Sequence, residues 1–309
     1  MLRALPHLSV CSTALRQLAH QLQRFPAMSE EYVPHGLGWH PDLPDPRDYT
    51  VGVKEVAKML DKLPPHKNRP ERVDWREYCG KVDDQEGLRA SSAHACVGLL
   101  QYFERRSTGR LIEPSAMFVY KTARRLSGCE GNSAVGLRTT WKAIVRFGAP
   151  PEQHWPYDPA RFDEQPDAFV HSFSFSPKYQ SLRYLRLDGR GRRGEEVLDT
   201  VISFVAAGFP CVFGFPVFTS LSTEGEIACP THFDRVRGGQ AVVAIGYDDN
   251  RRYRSIRGTL LIRTSWGPGW GEHGYGYLPY AYVRKALAVD FWTLLNPEWL
   301  ASGEFRRPT

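Results

Sequence analysis

The sequence predicts an α+β fold of two lobes, and two changes of pattern along the chain lead to that prediction. Apolar residues recur at helical spacing through the first half of the chain, whereas short β-rich runs separated by turn residues follow Gly208. Helices first and strands later are typical of an α+β protein. The chain has 309 residues, 42% of them hydrophobic and 24% charged, which is ordinary globular composition. No stretch approaches the roughly 18 consecutive apolar residues of a membrane-spanning helix, so we expect a soluble protein.

Residues 1–27 form an amphipathic, basic leader that lacks the uninterrupted apolar core of a secretory signal. Its arginines are unopposed by any acid. One helical face carries the apolar residues Leu15, Leu18, Leu22 and Phe25. Three explanations remain open: a mitochondrial presequence, a retained arm that docks on a partner, or an upstream start with Met28 as the working initiator. A mitochondrial or cytoplasmic location is favoured over secretion.

Residues 28–72 are rich in proline, and we expect them to run extended over a surface because proline interrupts periodic structure. Globular sequence begins near Val73. We predict a helical lobe over residues 73–190, a β-rich lobe over 191–297 and a tail over 298–309.

The clearest helix is predicted from Ser91 to a stop at Gly109. One face of it carries the apolar residues Cys96, Leu99, Leu100 and Phe103. A second helix is predicted after Pro114, a third before Gly148, and a fourth that stops at Gly208. Five β-rich runs follow, at Cys211 to Phe215, Ala241 to Tyr247, Thr259 to Ile262, Tyr275 to Leu278 and Phe291 to Leu295.

Charge and cysteine content narrow the classes of function. The net charge is +6, but the basic runs outside the leader lie in turn-like sequence without interleaved aromatic motifs, so nucleic-acid binding is not expected. The six cysteines are spread singly, without the paired spacing of a zinc site or the density of a disulfide scaffold. We therefore expect no metal and no cofactor.

Separated segments, in the expected order, resemble the papain-like cysteine proteases and in particular their bacterial-type relatives. They are Gly-Trp-His-Pro-Asp-Leu-Pro-Asp over 38–45, Val-Asp-Trp-Arg over 73–76, Val-Asp-Asp-Gln-Glu-Gly-Leu-Arg-Ala-Ser-Ser-Ala over 82–93, Gly-Gly-Gln-Ala-Val over 238–242 and Arg-Thr-Ser-Trp-Gly-Pro-Gly-Trp-Gly over 263–271. The resemblance spans roughly residues 36 to 295. It implies a papain-like fold, with a helical left lobe, an antiparallel β-barrel-like right lobe and a cleft between them.

The resemblance also implies where catalytic groups would stand. Thiol-dependent acyl transfer needs a cysteine at a helix N-terminus, a histidine, an orienting asparagine and an oxyanion-hole glutamine. The cysteine position maps to Ser91 and the histidine position to Gln240. The asparagine position maps to Thr264, and the glutamine is kept as Gln85. An amide neither takes nor releases a proton near neutral pH, so we expect an inactive member with a neutral Ser-Gln-Thr network under Trp266.

Two further features bear on activity. Glu86 and Arg89 stand where the family prefers glycines, and we expect their bulk and charge to line the cleft and keep an extended peptide off its floor. The rival hypothesis is a serine-dependent hydrolase or transferase that uses Ser91 with a non-standard base. The candidates for that base are His94, which shares a helical face with Ser91, and His232, in a predicted loop.

The sequence therefore predicts a papain-fold pseudoenzyme that serves as a structural or protein-binding subunit, with a protein partner or a larger complex. The leader and the proline-rich prelude are the expected contact surfaces, because neither has enough apolar periodicity to fold alone.

Overall fold

Helices occupy the first half of the chain and strands the second, as the periodicity predicts. The computed structural model describes residues 36–65, 68–174, 177–253 and 256–308. The predictions for the leader, residues 1–27, lie outside the described residues. The α-helices are α1 (Lys54–Leu60), α2 (Ser91–Thr108), α3 (Ala116–Ser127), α4 (Leu137–Phe147), α5 (Ala168–Ser174), α6 (Pro177–Gln180), α7 (Gly194–Ala206), α8 (Ala281–Arg284) and α9 (Pro297–Ala301). Short 3-10 turns lie at Arg76–Tyr78, Glu152–His154 and Pro159–Arg161.

The central helix, α2, begins at Ser91 and is buried along most of its length. It ends at Gly109, which has a φ of 71° and so adopts a left-handed conformation that glycine tolerates without strain. Arg105 and Arg106 lie in its last turn, where positive charge is favourable against the helix dipole. The prediction of a helix from Ser91 to Gly109 is confirmed, and so are helices after Pro114 and before Gly148.

The strands form one antiparallel sheet. They are β1 (Arg72–Asp74), β2 (Arg183–Arg186), β3 (Cys211–Phe218), β4 (Val236–Tyr253), β5 (Ile256–Arg263), β6 (Tyr275–Pro279) and β7 (Val289–Leu295). The order across the sheet is β2-β7-β3-β4-β5-β6, with β1 paired to β4. All five predicted runs fall inside β3 to β7. Strand β4 packs on α2, and this contact between the helical lobe and the sheet positions the candidate site.

The boundary between the lobes differs from the prediction at residue 190. Strand β2 lies in the part assigned to the helical lobe, yet it pairs with β7 in the sheet. The sheet also takes in β1, at the end of the predicted prelude. Both strands are three or four residues long, which is too short to show a periodic pattern in the sequence.

The proline-rich prelude is more structured than predicted. It contains α1, which lies in a proline-free stretch between Pro46 and Pro64 and buries Val56. Farther upstream, Trp39 is only 2% exposed. The prelude therefore contributes Trp39 and Val56 to the core, although much of the rest of it is exposed.

The predicted tail also packs into the protein. The Trp299 ring stacks on Phe103 at 4.9 Å between centroids. Phe305 is fully buried against Phe103 and Phe209, at centroid distances of 5.6 and 5.1 Å. Its neighbour Arg307 forms an isolated β-bridge with Pro65 of the prelude. The tail thus contributes Trp299 and Phe305 to the core, while most of its other residues are exposed.

Within the described ranges, no helix is both long and apolar enough to cross a bilayer. The same residues contain no group of three or more histidine, cysteine or acidic side chains placed to hold a metal ion.

Candidate functional site

The candidate site lies where the N-terminus of α2 meets strand β4. Ser91 is the first residue of α2, and the backbone N–H of Ala241 in β4 donates a hydrogen bond to its Oγ at 3.2 Å. Both Ser91 and the neighbouring Gln240 have no exposed surface. The Ser91 hydroxyl therefore serves as an acceptor that joins the helix to the sheet.

Three neutral side chains form a buried hydrogen-bonded group beside Ser91, and we call Gln85, Gln240 and Ser265 the neutral cluster. The Gln240 amide donates from Nε2 to Gln85 Oε1 at 2.9 Å and to Ser265 Oγ at 3.2 Å. The Ser265 hydroxyl donates to the same Gln85 Oε1 at 2.6 Å. Gln240 Oε1 is buried without a hydrogen-bond partner among the described residues. The cluster connects the loop before α2 to strands β4 and β5 without any charge.

Thr264 does not join this cluster, which corrects the expected Ser-Gln-Thr network. Its hydroxyl donates instead to the carbonyl oxygen of Gly274 at 2.8 Å. Side chains of consecutive residues in extended chain point to opposite sides, so at the end of β5 Ser265 faces the cleft and Thr264 faces the turn. Ser265 was missed, although it stands in the motif over 263–271 and this alternation is the signal that could have found it.

Trp266 and Trp270, both in the motif over 263–271, form a wall of the site. Trp266 is 2% exposed, and its ring packs edge-on against Trp270 at 4.7 Å between centroids. Its backbone forms an isolated bridge with Asp84, immediately before Gln85. This contact fixes the loop that carries the glutamine.

The cleft is filled by residues 36–42 of the same chain, which we call the strap. At its first residue, Gly36 N donates to the carbonyl oxygen of Glu86 at 2.7 Å. The Gly36 carbonyl oxygen accepts a hydrogen bond from Gln85 Nε2. The donor that resembles the family's oxyanion-hole glutamine is therefore occupied by a peptide carbonyl of the strap.

The strap continues across the cleft and bonds to both lobes. Trp39 N donates to the carbonyl oxygen of Gly239 in β4 at 3.0 Å. On the helical side, Val135 N donates to the carbonyl oxygen of Gly38 at 3.3 Å. These bonds make the strap a third layer between the lobes, directly over the neutral cluster.

Glycines on both sides of the interface allow this close approach. A Cβ atom on Gly38 would overlap the carbonyl group of Arg89, and one on Gly239 would overlap the backbone of Trp39. A Cβ on Gly214 in β3 would overlap the Trp39 indole. A side chain at any of these positions would force the strap out of its seat.

The structure differs from the expectation that Glu86 and Arg89 would keep a peptide off the cleft floor. Both side chains are exposed, while their backbones line the cleft. Gly36 bonds to Glu86 and Gly38 packs against Arg89, so the strap is itself an extended peptide on this floor. Glu86 has a φ of 50°, a strained conformation for a residue other than glycine.

A buried ionic cluster holds the far end of the strap. The carboxylate of Asp290 accepts from Trp39 Nε1 at 3.2 Å and from Asp42 N at 3.3 Å. Arg186 pairs with Asp290 at 3.4 Å, and its side chain is 2% exposed. The members of this ionic cluster are Asp42, Asp48, Arg138, Arg186, Asp188 and Asp290. Burial raises the pKa of Asp290, to about 7.

The two candidate bases are engaged elsewhere. The His94 ring is buried in α2 and meets the Tyr157 ring edge-on at 4.6 Å. Burial lowers its pKa to about 4, so the imidazole is neutral at pH 7. The His232 ring lies against Phe233 at 3.7 Å in the loop after β3. The Cys96 thiol is buried inside α2, and this burial raises its pKa.

A helical lobe and an antiparallel sheet that meet at the start of a buried helix define a papain-like fold. The chain belongs to the papain family of cysteine proteases, whose family model matches residues 69–285.

Relatives of this chain come from three kinds of organism. An uncharacterised peptidase C1-like protein of Acanthamoeba polyphaga mimivirus is 30% identical over 285 residues, which cover 86% of this chain and 89% of that protein. Mexicain of Jacaratia mexicana is 25% identical, over 67% of this chain and 86% of its own length. Among solved structures, xylellain, a cysteine protease from Xylella fastidiosa, is 27% identical with a TM-score of 0.66, covering 87% of this chain and 99% of xylellain.

Proposed function

We propose that this chain is a non-catalytic member of the papain family that acts as a structural or protein-binding subunit. One observation carries the proposal. Ser91 and Gln240 are both fully buried beneath the strap, and the Gln85 amide is already bonded to the strap carbonyl of Gly36.

The chemistry of the buried groups supports the same conclusion. A serine attacks a carbonyl only when a base removes its proton, and the amide of Gln240 cannot act as that base. General-base catalysis is worth about 10²- to 10⁴-fold in rate, and nucleophile and base act as a unit. The Ser91 hydroxyl accepts from Ala241 N rather than donating to an imidazole.

The alternative is a residual serine-dependent hydrolase or transferase that uses Ser91 with a non-standard base. It would require His94 or His232 to leave its present contact, and it would require the strap to leave the cleft. His94 packs on Tyr157 and His232 packs on Phe233, which favours the non-catalytic reading.

Labelling of the purified full chain tests the choice between these two functions. We expect no covalent adduct with a fluorophosphonate and no turnover of fluorogenic peptides. Ser91→Ala is the matched control, because it removes one oxygen from a buried site. Stoichiometric labelling that Ser91→Ala abolishes would favour the enzyme and end the proposal of an inactive chain.

A second measurement distinguishes two causes of inactivity: the loss of the catalytic side chains and the occupation of the cleft by the strap. The variant Ser91→Cys with Gln240→His restores the thiol and the imidazole beneath an unchanged strap. We expect a thiol-directed epoxide to react with it at least tenfold more slowly than with mexicain. A rate equal to that of mexicain would show that the strap does not block access to the cleft.

Isolation of the chain from its source at native abundance tests the subunit role. We expect mass spectrometry to find a partner protein in constant ratio through successive columns. A chain that elutes alone at its own mass would contradict the subunit role and leave only the absence of catalysis.

A further inference from the structure

The ionic cluster at the far end of the strap contains more carboxylates than guanidinium groups. Its four acids are Asp42, Asp48, Asp188 and Asp290, and its two bases are Arg138 and Arg186. None of these six side chains is more than 16% exposed. Arg47 does not correct the imbalance, because it pairs with Asp45 at the surface and its side chain is 87% exposed. Fully ionised, the cluster would hold four negative charges against two positive ones.

Asp290 is the acid of this cluster that is least able to stay ionised. Its side chain has no exposed surface, and Arg186 lies 3.4 Å from it. The other three acids each accept from a backbone or guanidinium N–H at 2.8 Å or less, whereas the corresponding contacts of Asp290 are 3.3 and 3.4 Å. A carboxylate taken out of water is costly, and a cation shared with other acids offsets that cost only in part. Burial, and after it the charge of Asp42, raises the pKa of Asp290 from the ordinary 3.8 to about 7.

Asp290 is also the carboxyl group that holds the strap. Its Oδ2 accepts from Trp39 Nε1 at 3.2 Å and from Asp42 N at 3.3 Å. Its Oδ1 accepts from Trp292 Nε1 at 2.7 Å, within the same strand. The strap thus brings two N–H donors to Asp290, and the carboxylate of Asp42 comes with them. Release of the strap would take that negative charge away from Asp290.

The groups on the surrounding elements keep one charge state near pH 7. The thiols of Cys96 in α2 and Cys211 in β3 are buried, and burial raises the pKa of both. Burial also raises the pKa of the Tyr184 hydroxyl in β2. The two arginines of the cluster, in α4 and β2, remain cationic as arginine does in proteins. A change of charge near neutral pH therefore falls on Asp290.

We propose that Asp290 carries a proton while the strap is bound, and that loss of this proton to solvent loosens the strap from the cleft. Ionised Asp290 repels Asp42 on the strap, and Arg186 is shared with two other carboxylates. Because the strap covers Ser91 and Gln240, its release would open the candidate site to an extended peptide. The inference does not depend on whether the cleft is catalytic.

The sign of the effect follows from the two states of the strap. With the strap bound, the pKa of Asp290 is about 7. With the strap released, Asp42 moves away and water reaches the carboxyl group, so the pKa of Asp290 falls toward the ordinary 3.8. Protonation therefore favours the bound strap at low pH. This preference is lost as the pH rises to 7, by at most about tenfold per pH unit, and does not change further above pH 7.

NMR of the indole groups in the unmodified full chain tests the proton. The indoles of Trp39 and Trp292 both donate to Asp290. Those of Trp75 and Trp270 donate to backbone carbonyl oxygens and serve as internal controls. We expect the first two indole ¹⁵N resonances to shift with a common midpoint near pH 7, while the controls stay constant. A midpoint below pH 5, or no shift at all, would overturn the proposal.

Hydrogen exchange of the amides in residues 37–42 tests the movement of the strap. We expect their protection, corrected for intrinsic rates and divided by that of β5, to fall about tenfold between pH 5.5 and pH 7.5. In Asp290→Asn the side chain is neutral at every pH, so the strap should be equally protected at both values. Asparagine also tolerates the φ of 67° at this position. Asp199→Asn, at an exposed position on α7, is the matched control and should behave like the wild type.

Two results of the exchange experiment would contradict the inference. One is equal protection of the wild-type strap at both pH values, and the other is a fall of wild-type size in Asp290→Asn. The indole titration needs no substitution at Asp290, so it decides the matter even if that variant does not fold.

Discussion

The strap is fixed at its two ends by different physical means. At Gly36 it bonds to the neutral cluster of amides and a hydroxyl, whereas at Trp39 and Asp42 it meets the ionic cluster around Arg186. Both regions are buried and both join the helical lobe to the sheet. The comparison shows that a buried contact between lobes can be built from charges or from neutral groups, with different costs when one member is lost.

The difference lies in what remains after a loss. Removing one neutral partner leaves an unsatisfied polar atom, which costs about 1–3 kcal/mol. Removing one charge from a buried group leaves the opposite charges uncompensated, which costs about 3–5 kcal/mol. We therefore expect the ionic cluster to be the more sensitive of the two to single substitutions.

Arg186→Met should have the largest effect. It removes the cation that pairs with Asp48, Asp188 and Asp290, and all three carboxylates are at most 10% exposed. We expect the free energy of unfolding to fall by about 3–5 kcal/mol, measured by urea denaturation. Arg47→Ala is the control, because Arg47 is 87% exposed and should leave the midpoint unchanged. An equal midpoint for Arg186→Met would mean that the ionic cluster does not anchor the strap.

His94→Phe should have the next largest effect, and it tests a buried group outside both clusters that is neutral at pH 7. Burial lowers the folded pKa of His94 to about 4, below its ordinary 6.5, so its contribution to stability is complete above pH 6.5 and lost as the pH falls toward 4. Between pH 8 and pH 5 this group should cost the wild type about 2 kcal/mol. The substitution should remove that loss. Identical pH dependence of unfolding in both proteins would refute the assignment.

Gln240→Ala should cost less. It removes two hydrogen bonds of the neutral cluster but leaves the bond between Ser265 and Gln85 in place. We expect a loss of about 1.5 kcal/mol that is the same at pH 5 and pH 8, because no member of the cluster titrates there. The volume-matched Gln240→Met should lose less. A loss above about 3 kcal/mol would match the cost of breaking a buried ion pair, and it would show that the neutral cluster is as sensitive to substitution as the ionic cluster.

Glu86→Gly should have the smallest effect and the opposite sign. The φ of 50° at Glu86 costs about 1 kcal/mol for a residue with a Cβ, and glycine relieves it. We expect a gain of that size in the free energy of unfolding. Glu77→Gly, at an exposed position with a negative φ, is the control and should give no gain. A loss of stability in Glu86→Gly would mean that the side chain supports the loop.

The sequence predicts the elements with long periodic patterns and misses those that depend on distant partners. Helix α2 and strand β4 carry their periodicity within themselves, and the motif over 263–271 locates the cleft wall. The strap could not be predicted, because its burial depends on glycines at 214 and 239, far along the chain. Ser265 rather than Thr264 faces the cleft because side chains alternate at the end of β5, and motif matching does not record this alternation.

The packing of the tail has a consequence for truncated gene products. Phe305 sits in the core between Phe103 and Phe209, only a few residues from the last one described. A premature stop codon at this position would delete a buried ring and leave a void in the helical lobe. A nonsense change at codon 305 should therefore yield a destabilised chain that cellular quality control removes.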